Sequence, residues 1–377
     1  MKVLVAGDFC PLNRIAELID HNDYSFFDDI KKIQSSVDYS IVNFECPVVK
    51  NIYKPIEKCG PNLCCQSNAI DAIQYAGFDL VTLANNHIMD YGEEGLRDTL
   101  IECEDHHIAV VGVGKNKSEA SQVFYTTING QVLAIVNCCE HEFSVASEAN
   151  PGANALDPIQ QYYAICEAKK NADFVLIIVH GGHEMYQLPS PRMVEMYHFY
   201  IDIGATAVIN HHQHCYSGYE IYKGCPIFYG LGNLCFDRRE RRDSIWNEGY
   251  MVVLSLDVNK ISYSIIPYMQ GNYNANVELY HDEKRQRLFY SNIERLNNII
   301  CDKKRLQEKY QKWVESNALN YLYSLEPYSG NKYLFGLYKK HLLPTFLSKR
   351  KLIRILNNIQ CESHRDRLTY ILNNRVL

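Results

Sequence analysis

Residues 180–233 read HGGHEMYQLPSPRMVEMYHFYIDIGATAVINHHQHCYSGYEIYKGCPIFYGLGN, and this stretch decides the fold. His180 ends an apolar run, Phe174 to Val179, that reads as a buried strand. A second apolar run, Ala205 to Ile209, leads into His212-Gln213-His214. Both arms leave the carboxyl ends of strands, where open α/β sheets place their chemistry. Alternation in extended chain turns residues two apart to the same side, so His212 and His214 are expected to face one centre. Neutral imidazole is the commonest side-chain ligand for metals such as zinc, manganese and iron, which makes the stretch a candidate metal site.

The same grammar of strand followed by polar side chain recurs upstream. Lys2 to Ala6 runs into Gly7-Asp8, Asp38 to Val42 into Asn43-Phe44-Glu45, and Phe78 to Ala84 into Asn85-Asn86-His87. Strand exits thus end in Asp8, Glu45, Asn86/His87, His180 and His212/His214, a mixed oxygen and nitrogen set large enough for two divalent ions. Singly, Asp8 is as well explained as a helix cap, and Asn43, Asn85 and Asn86 as turn residues. Their order and spacing select the metal reading.

In this order the segments resemble the capsule-synthesis CapA proteins, also called poly-γ-glutamate synthesis proteins, of the calcineurin-like metallophosphoesterase superfamily. The elements are Gly7-Asp8, Asn43-Phe44-Glu45, the run NNHIMDYGEEGL from Asn85 to Leu96, His180-Gly-Gly-His-Glu184, Pro189-Ser190-Pro191-Arg192, His212-Gln-His214, Glu220 and Gly230-Leu-Gly-Asn233. The resemblance implies a four-layer α/β/β/α sandwich of two mixed sheets over residues 1–272. It implies two divalent ions, Mn, Fe or Zn ahead of Mg, held by Asp8, Glu45, Asn86, His180, His212 and His214, with Glu45 as the bridging carboxylate. His87 would be the uncoordinated acid, its ring held by Asp90. Asn43, Glu184, Arg192, Glu220 and Asn233 would support the ligands or touch substrate.

The implied activity is hydrolysis of a phosphoester or γ-glutamyl amide bond in the synthesis or processing of a capsule or other exopolymer. The competing reading is a non-catalytic assembly subunit of a membrane-associated capsule synthase. Two departures from the pattern favour it. Where the superfamily often has Asp-x-His, this chain has Asp8-Phe9-Cys10, one histidine fewer; and Gly181 and Met185 stand where the family usually has Trp and Tyr.

Composition sets the bounds. A chain of 377 residues, 47% of them hydrophobic, can bury a sizeable core and has the length for two or three domains. Its 14 cysteines show no C-x-x-C spacing, so reduced, buried thiols are expected rather than a disulfide framework. Cys10, Cys46 and Cys215 are expected to pack rather than coordinate. Met1 to Ala6 is too short for a secretory signal, and no apolar run approaches the roughly 20 residues of a membrane helix, so a cytoplasmic protein is expected.

The net charge of -6 divides unevenly. From residue 276 onward there are 19 Lys or Arg against 10 Asp or Glu, while residues 1–275 hold 19 against 34. Residues 273–377 are therefore expected to form a basic, mainly helical extension, joined through a polar linker at Gln270 to Leu279. Its basic segment from Tyr333 to Leu356 reads as solvated helix faces packed on the main domain. Contact with the inner membrane face or with a capsule synthase is the alternative, and no nucleic-acid module is recognised.

Within 1–272, hairpins are expected around Asn129-Gly130 and Val258-Asn259-Lys260. A helix is expected over Gly92–His106 with Leu96, Leu100 and Ile101 on one stripe, and another from Pro191 to Ile203, capped by Ser190. Gly230-Leu-Gly-Asn233 reads as a tight turn at the site rim, lacking the lysine of a phosphate loop. His106, His107, His141, His183, His198 and His211 read as surface or satisfied core histidines, and of these His141, with Glu142 after a predicted strand, is the best candidate for an extra substrate contact.

Overall fold

The first strand is buried on both faces, and this sets the architecture. β1 (Lys2–Phe9) sends Val3 and Val5 into one apolar core and Leu4 and Ala6 into another, as a sheet covered on both faces must. The computed structural model describes the backbone of residues 1–376. Parallel to β1 run β2 (Tyr39–Phe44), β3 (Leu80–Thr82) and β4 (Ala109–Val111), in that spatial order. On the other side of β1 lies an antiparallel meander of β14 (Glu248–Asp257), β15 (Lys260–Gln270) and β16 (Val277–Leu279), and the short β13 (Asn233–Cys235) pairs with the end of β1.

A second sheet has the order β11-β12-β10-β9-β7-β6. It comprises β6 (Phe124–Ile128), β7 (Gln131–Cys139), β9 (Phe174–His180), β10 (Ala207–His211), β11 (Tyr219–Tyr222) and β12 (Cys225–Phe228). Its centre is parallel and its edges antiparallel. The remaining strands, β5 (Val113–Gly114) and β8 (Gly152–Ala153), pair with each other. Val3, Val5, Val252 and Leu254 share a core with Ile135, Ile177 and Val208 of the second sheet.

Helices close the outer faces. α1 (Arg14–Asp20), α2 (Asp28–Gln34), α3 (Ala69–Ala76) and α4 (Gly92–Asp105) bury Ile15, Ile30, Ile73 and Leu96 with Leu4 and Ala6. After the short α5 (Lys117–Ala120), α6 (Pro158–Asn171) lies against β7 and β9, and α7 (Pro191–Asp202) against β10. The result is the expected four-layer α/β/β/α sandwich with two mixed sheets. The Asn129-Gly130 hairpin is present, with φ of 52° and 80° as a two-residue type I′ turn requires. Ser190 caps α7 by accepting the Met193 N–H at 3.3 Å.

Two expectations are corrected. In α4 Leu96 is buried, but Leu100 is only half-buried and Ile101 is 40% exposed. Thr99, Glu102 and Cys103 take the inner face, because its polar members find partners: Asp98 accepts the Lys50 N–H at 3.1 Å and Glu102 pairs with the Lys50 ammonium. The supposed linker at Gln270 to Leu279 is a short irregular turn, residues 271–276, joining β15 to β16 within the first sheet.

The chain divides into two compact units, Met1–Gln307 and Glu308–Leu377. The first includes α8 (Glu283–Ile300), which buries Phe289, Ile293 and Leu296 in the same core as Tyr216 and Tyr250. α9 (Lys303–Ser324) leads into the second, which holds α10 (Lys332–Lys339), α11 (Lys349–Gln360) and α12 (Glu362–Val376). There Glu326 accepts from Thr345 Oγ1 at 2.5 Å and from the Phe346 N–H at 2.9 Å. No helix among the described residues is long and apolar enough to cross a membrane.

Candidate metal centre

Backbone close approach builds the site. A Cβ on Gly7 would lie 2.0 Å from the carbonyl oxygen of Gly232, so only glycine lets β13 seat against β1 and bring Asn233 opposite Asp8. Beyond β2 the ladder continues, the Glu45 N–H donating to the Phe9 carbonyl at 2.9 Å. The Asn85 side chain shapes the next turn by accepting the His87 and Ile88 N–H groups at 3.0 and 2.9 Å.

At the fifth arm, after β10, the structure corrects the alternation argument. β10 ends at His211, and His212 and His214 have φ of 84° and 53°, in the left-handed region. Their convergence is made by a strained turn of the kind that clusters at functional sites, not by extended chain. They also serve different groups.

Two sets of three buried donors converge on one carboxylate: Glu45 with His180 and His212, and Glu45 with Asp8 and His214. His180 Nε2 lies 3.4 Å from Glu45 Oε1, 3.1 Å from His212 Nδ1 and 3.0 Å from Asn86 Oδ1. In the other set, His214 lies 3.6 Å from Glu45 Oε1 through Nε2 and 3.8 Å from Asp8 Oδ2 through Nδ1. Ligand bonds of about 2.0–2.2 Å put neighbouring donors on one ion roughly 3 to 3.5 Å apart, close to the spacings around His180 Nε2 and to that between His214 Nε2 and Glu45, while His214 Nδ1 faces Asn233 instead.

The electrostatics fit a cation. Both oxygens of Glu45 are buried without a hydrogen bond, and burial and the charge of Asp8 push its carboxyl well up. Burial pulls His180 well below the usual imidazole range, with His212 adding to it. Burial likewise brings His214 to about 4 against the opposing pull of Asp8, so both rings keep lone pairs at neutral pH. Asp8 is the exception: burial would raise it, but His211, His180 and His214 hold it below the usual carboxylate range. Divalent ions would pair the orphaned carboxylate and use the neutral rings.

Supporting side chains fix the donors. Asn43 donates to Asp8 Oδ1 at 2.8 Å and lies 3.3 Å from His180 Nδ1, while its own oxygen accepts from Thr82 at 3.2 Å. Asn233 Oδ1 lies 2.9 Å from His214 Nδ1 and its amide donates to the His214 carbonyl at 3.2 Å, fixing that ring's orientation. His87 Nδ1 is 2.7 Å from Asp90 Oδ2, and Lys58 takes the other oxygen of Asp90 while its ammonium stands 3.1 Å from the same ring nitrogen.

A family model described as bacterial capsule synthesis protein PGA_cap matches residues 2–238. The chain belongs to this family. Relatives of the PGA_cap protein include capsule biosynthesis protein CapA of Bacillus anthracis, 30% identical over 63% of this chain and 60% of that one. PGA biosynthesis protein CapA of Bacillus subtilis is 34% identical over 57% of each. The match thus spans about three-fifths of these relatives' length. A solved structure of a hypothetical protein from Thermus thermophilus superposes with a TM-score of 0.44 at 16% identity, covering 71% of this chain and 99% of that one. A putative 5'-nucleotidase from Staphylococcus aureus gives a TM-score of 0.43 at 16% identity, over 77% and 57%.

Of three further residues expected to support the ligands of the PGA_cap protein or to touch substrate, two pair with groups other than the donors themselves. Glu220 accepts from Tyr229 OH at 2.5 Å and pairs with His198 at 2.8 Å. Arg192 pairs with Glu140 at 2.6 Å, and the other Glu140 oxygen accepts the Gly182 N–H at 3.0 Å, bracing the turn after His180. Glu184 is exposed and reaches Glu45 and His214 only through its charge. Two others were missed. His211 is buried with Nδ1 3.1 Å from Asp8 Oδ1, and its position in His211-His212-Gln213-His214 could have flagged it. Lys58 comes from residues 49–64, which contain neither helix nor strand and so offer no pattern to read.

Proposed function

We propose that this PGA_cap-family protein is a dinuclear metal-dependent hydrolase that cleaves a phosphoester or γ-glutamyl amide bond in the synthesis or processing of a capsule or other exopolymer. The observation that carries the reading is Glu45, a buried carboxylate with two unsatisfied oxygens shared by two donor sets. The names of the relatives supply the polymer. Asp8, Glu45 and His214 would hold one ion, and Glu45, His180, His212 and Asn86 the other. Three histidines favour Mn, Fe or Zn over Ca. Bound there, divalent cations supply Lewis-acid chemistry, acidifying water and polarising a phosphoryl or carbonyl oxygen.

The remaining work falls to the chain's own residues. Asp90 ties Nδ1 of His87, which leaves Nε2 to carry a proton to the leaving group. Both residues are buried, so the proton is not lost to bulk solvent. The competing reading, an assembly subunit without turnover, draws on Cys10. Cys10 stands two residues after Asp8, where the superfamily often has a histidine, and it is fully buried.

The test is metal content together with turnover of a phosphodiester, a phosphomonoester and a γ-glutamyl amide under Mn²⁺, Zn²⁺ and Mg²⁺. His212→Ala with His214→Ala should empty at least one site. His87→Ala should keep the metal and lower turnover on the order of 10²-fold. Full metal retention in the double variant sinks the ligand assignment. Metal binding with no turnover of any substrate favours the assembly subunit.

A further inference from the structure

Arg238 follows β13 and is held beside the metal centre by two buried rings. Its guanidinium carbon lies 4.5 Å from the centre of the Trp246 ring and 5.4 Å from that of Phe236. Both rings also pack on the ligand His214, with centroids 4.8 and 5.3 Å away. Arg238 is half-buried, whereas Trp246 and Phe236 are 2% and 1% exposed.

This cation has been left without a counter-ion. Its chain neighbour Asp237 is buried and already occupied, receiving Arg14 Nη2 at 2.7 Å and Nε at 3.0 Å, with Arg242 at 3.3 Å. No carboxylate among the described residues pairs with Arg238. A guanidinium stacked on an indole keeps its edge N–H groups free, and that edge matches the paired oxygens of a phosphate or carboxylate.

We propose that Arg238 is the substrate-anion anchor of this site, binding the phosphoryl or carboxylate oxygens next to the scissile bond while Trp246 and Phe236 hold its guanidinium in place. The assignment deepens the hydrolase reading and rests on it in taking the donor cluster as the reaction centre. It makes the substrate anionic close to the bond that breaks, and so sets apart neutral polymers.

Trp246 is one of 2 tryptophans, so its emission can be isolated in a Trp313→Phe background. Orthophosphate and γ-glutamyl-glutamate are titrated into this protein, metal-free and Mn²⁺-loaded, with bound Mn²⁺ measured in parallel. A saturable emission change with either probe is expected, and the probe that binds tighter identifies the anion. Arg238→Gln should weaken binding on the order of tenfold or more at unchanged Mn²⁺ content, with Arg238→Lys recovering only part and Arg239→Gln behaving as the parent. Equal affinity in Arg238→Gln, loss of Mn²⁺ in that variant, or no saturable response in the Mn²⁺-loaded parent overturns the proposal. A parent that binds no Mn²⁺ but still shows the Arg238-dependent response leaves the anchor standing and removes the hydrolase reading.

Discussion

Gly7 and Gly232 meet backbone to backbone, with room for no side chain: the Gly232 carbonyl oxygen occupies the place where a Cβ on Gly7 would sit, 2.0 Å away. That contact aligns Asp8 with Asn233, so one candidate donor and the residue orienting another depend on one missing methyl group. Gly7→Ala should destabilise the protein by about 1–3 kcal/mol or more and lower metal content, both measured on the purified variant. An unchanged Tm with full metal would show that the strands can part without cost.

Glu45→Gln should separate stability from function. With its carboxyl raised above the ordinary 4.5, metal-free Glu45 keeps a proton that the unfolded chain releases. Its contribution is therefore present in full below pH 4.5 and is lost as pH rises through the folded value. The metal-free variant should melt higher than metal-free wild type, by a margin that grows as pH climbs above 4.5, while binding no more than one ion. Thermal melts of chelator-treated proteins across pH decide this, and a margin that shrinks with rising pH contradicts it.

His214 has the opposite sign. Folding lowers the ring from 6.5 to about 4, so the unfolded chain takes up a proton that the folded one refuses. Its contribution is complete above pH 6.5 and falls away as pH drops towards 4. In the metal-free Glu45→Gln background, His214→Gln should flatten the loss of Tm across that interval. An identical slope in both proteins would remove His214 as the cause.

Lys58 and Asp90 form a buried pair, their side chains 2% and 0% exposed. Lys58→Met strands the carboxylate between His87 and the Leu63 N–H, which should cost about 3–5 kcal/mol. Adding Asp90→Asn should recover part of that loss in a double-mutant cycle. Additive losses would mean the pair is not coupled.

In α11, Ile353, Leu356 and Ile359 are 58%, 52% and 58% exposed, on a helix that also carries Lys349, Arg350, Lys351 and Arg354. Their exposure favours the membrane-contact alternative for this segment, so wild type is expected to sediment with phosphatidylserine vesicles at low salt. Changing Lys349, Arg350 and Lys351 to Glu should abolish this, each charge contributing about 1 kcal/mol at such a surface. Equal binding to phosphatidylcholine vesicles, or none to either, counts against a basic membrane-facing helix.

The amino-acid sequence alone determined the layers and the donors. The short apolar runs of β1, β9 and β10 and the Asn129-Gly130 turn are local patterns, set by backbone geometry and side-chain polarity over a few residues. Asp8, Glu45, His180, His212 and His214 could be read because each stands at or just beyond a strand end. Tertiary structure alone decided how they combine: that Glu45 is shared, that a left-handed turn brings His212 and His214 to different donor groups on it, and that Lys58 reaches Asp90 from an irregular segment. It also decided that β16 completes the first sheet and that Arg238 is spared by Arg14 and Arg242. These outcomes rest on contacts between residues far apart in the chain, and pairing at that range leaves no period, cap or turn for a sequence to display.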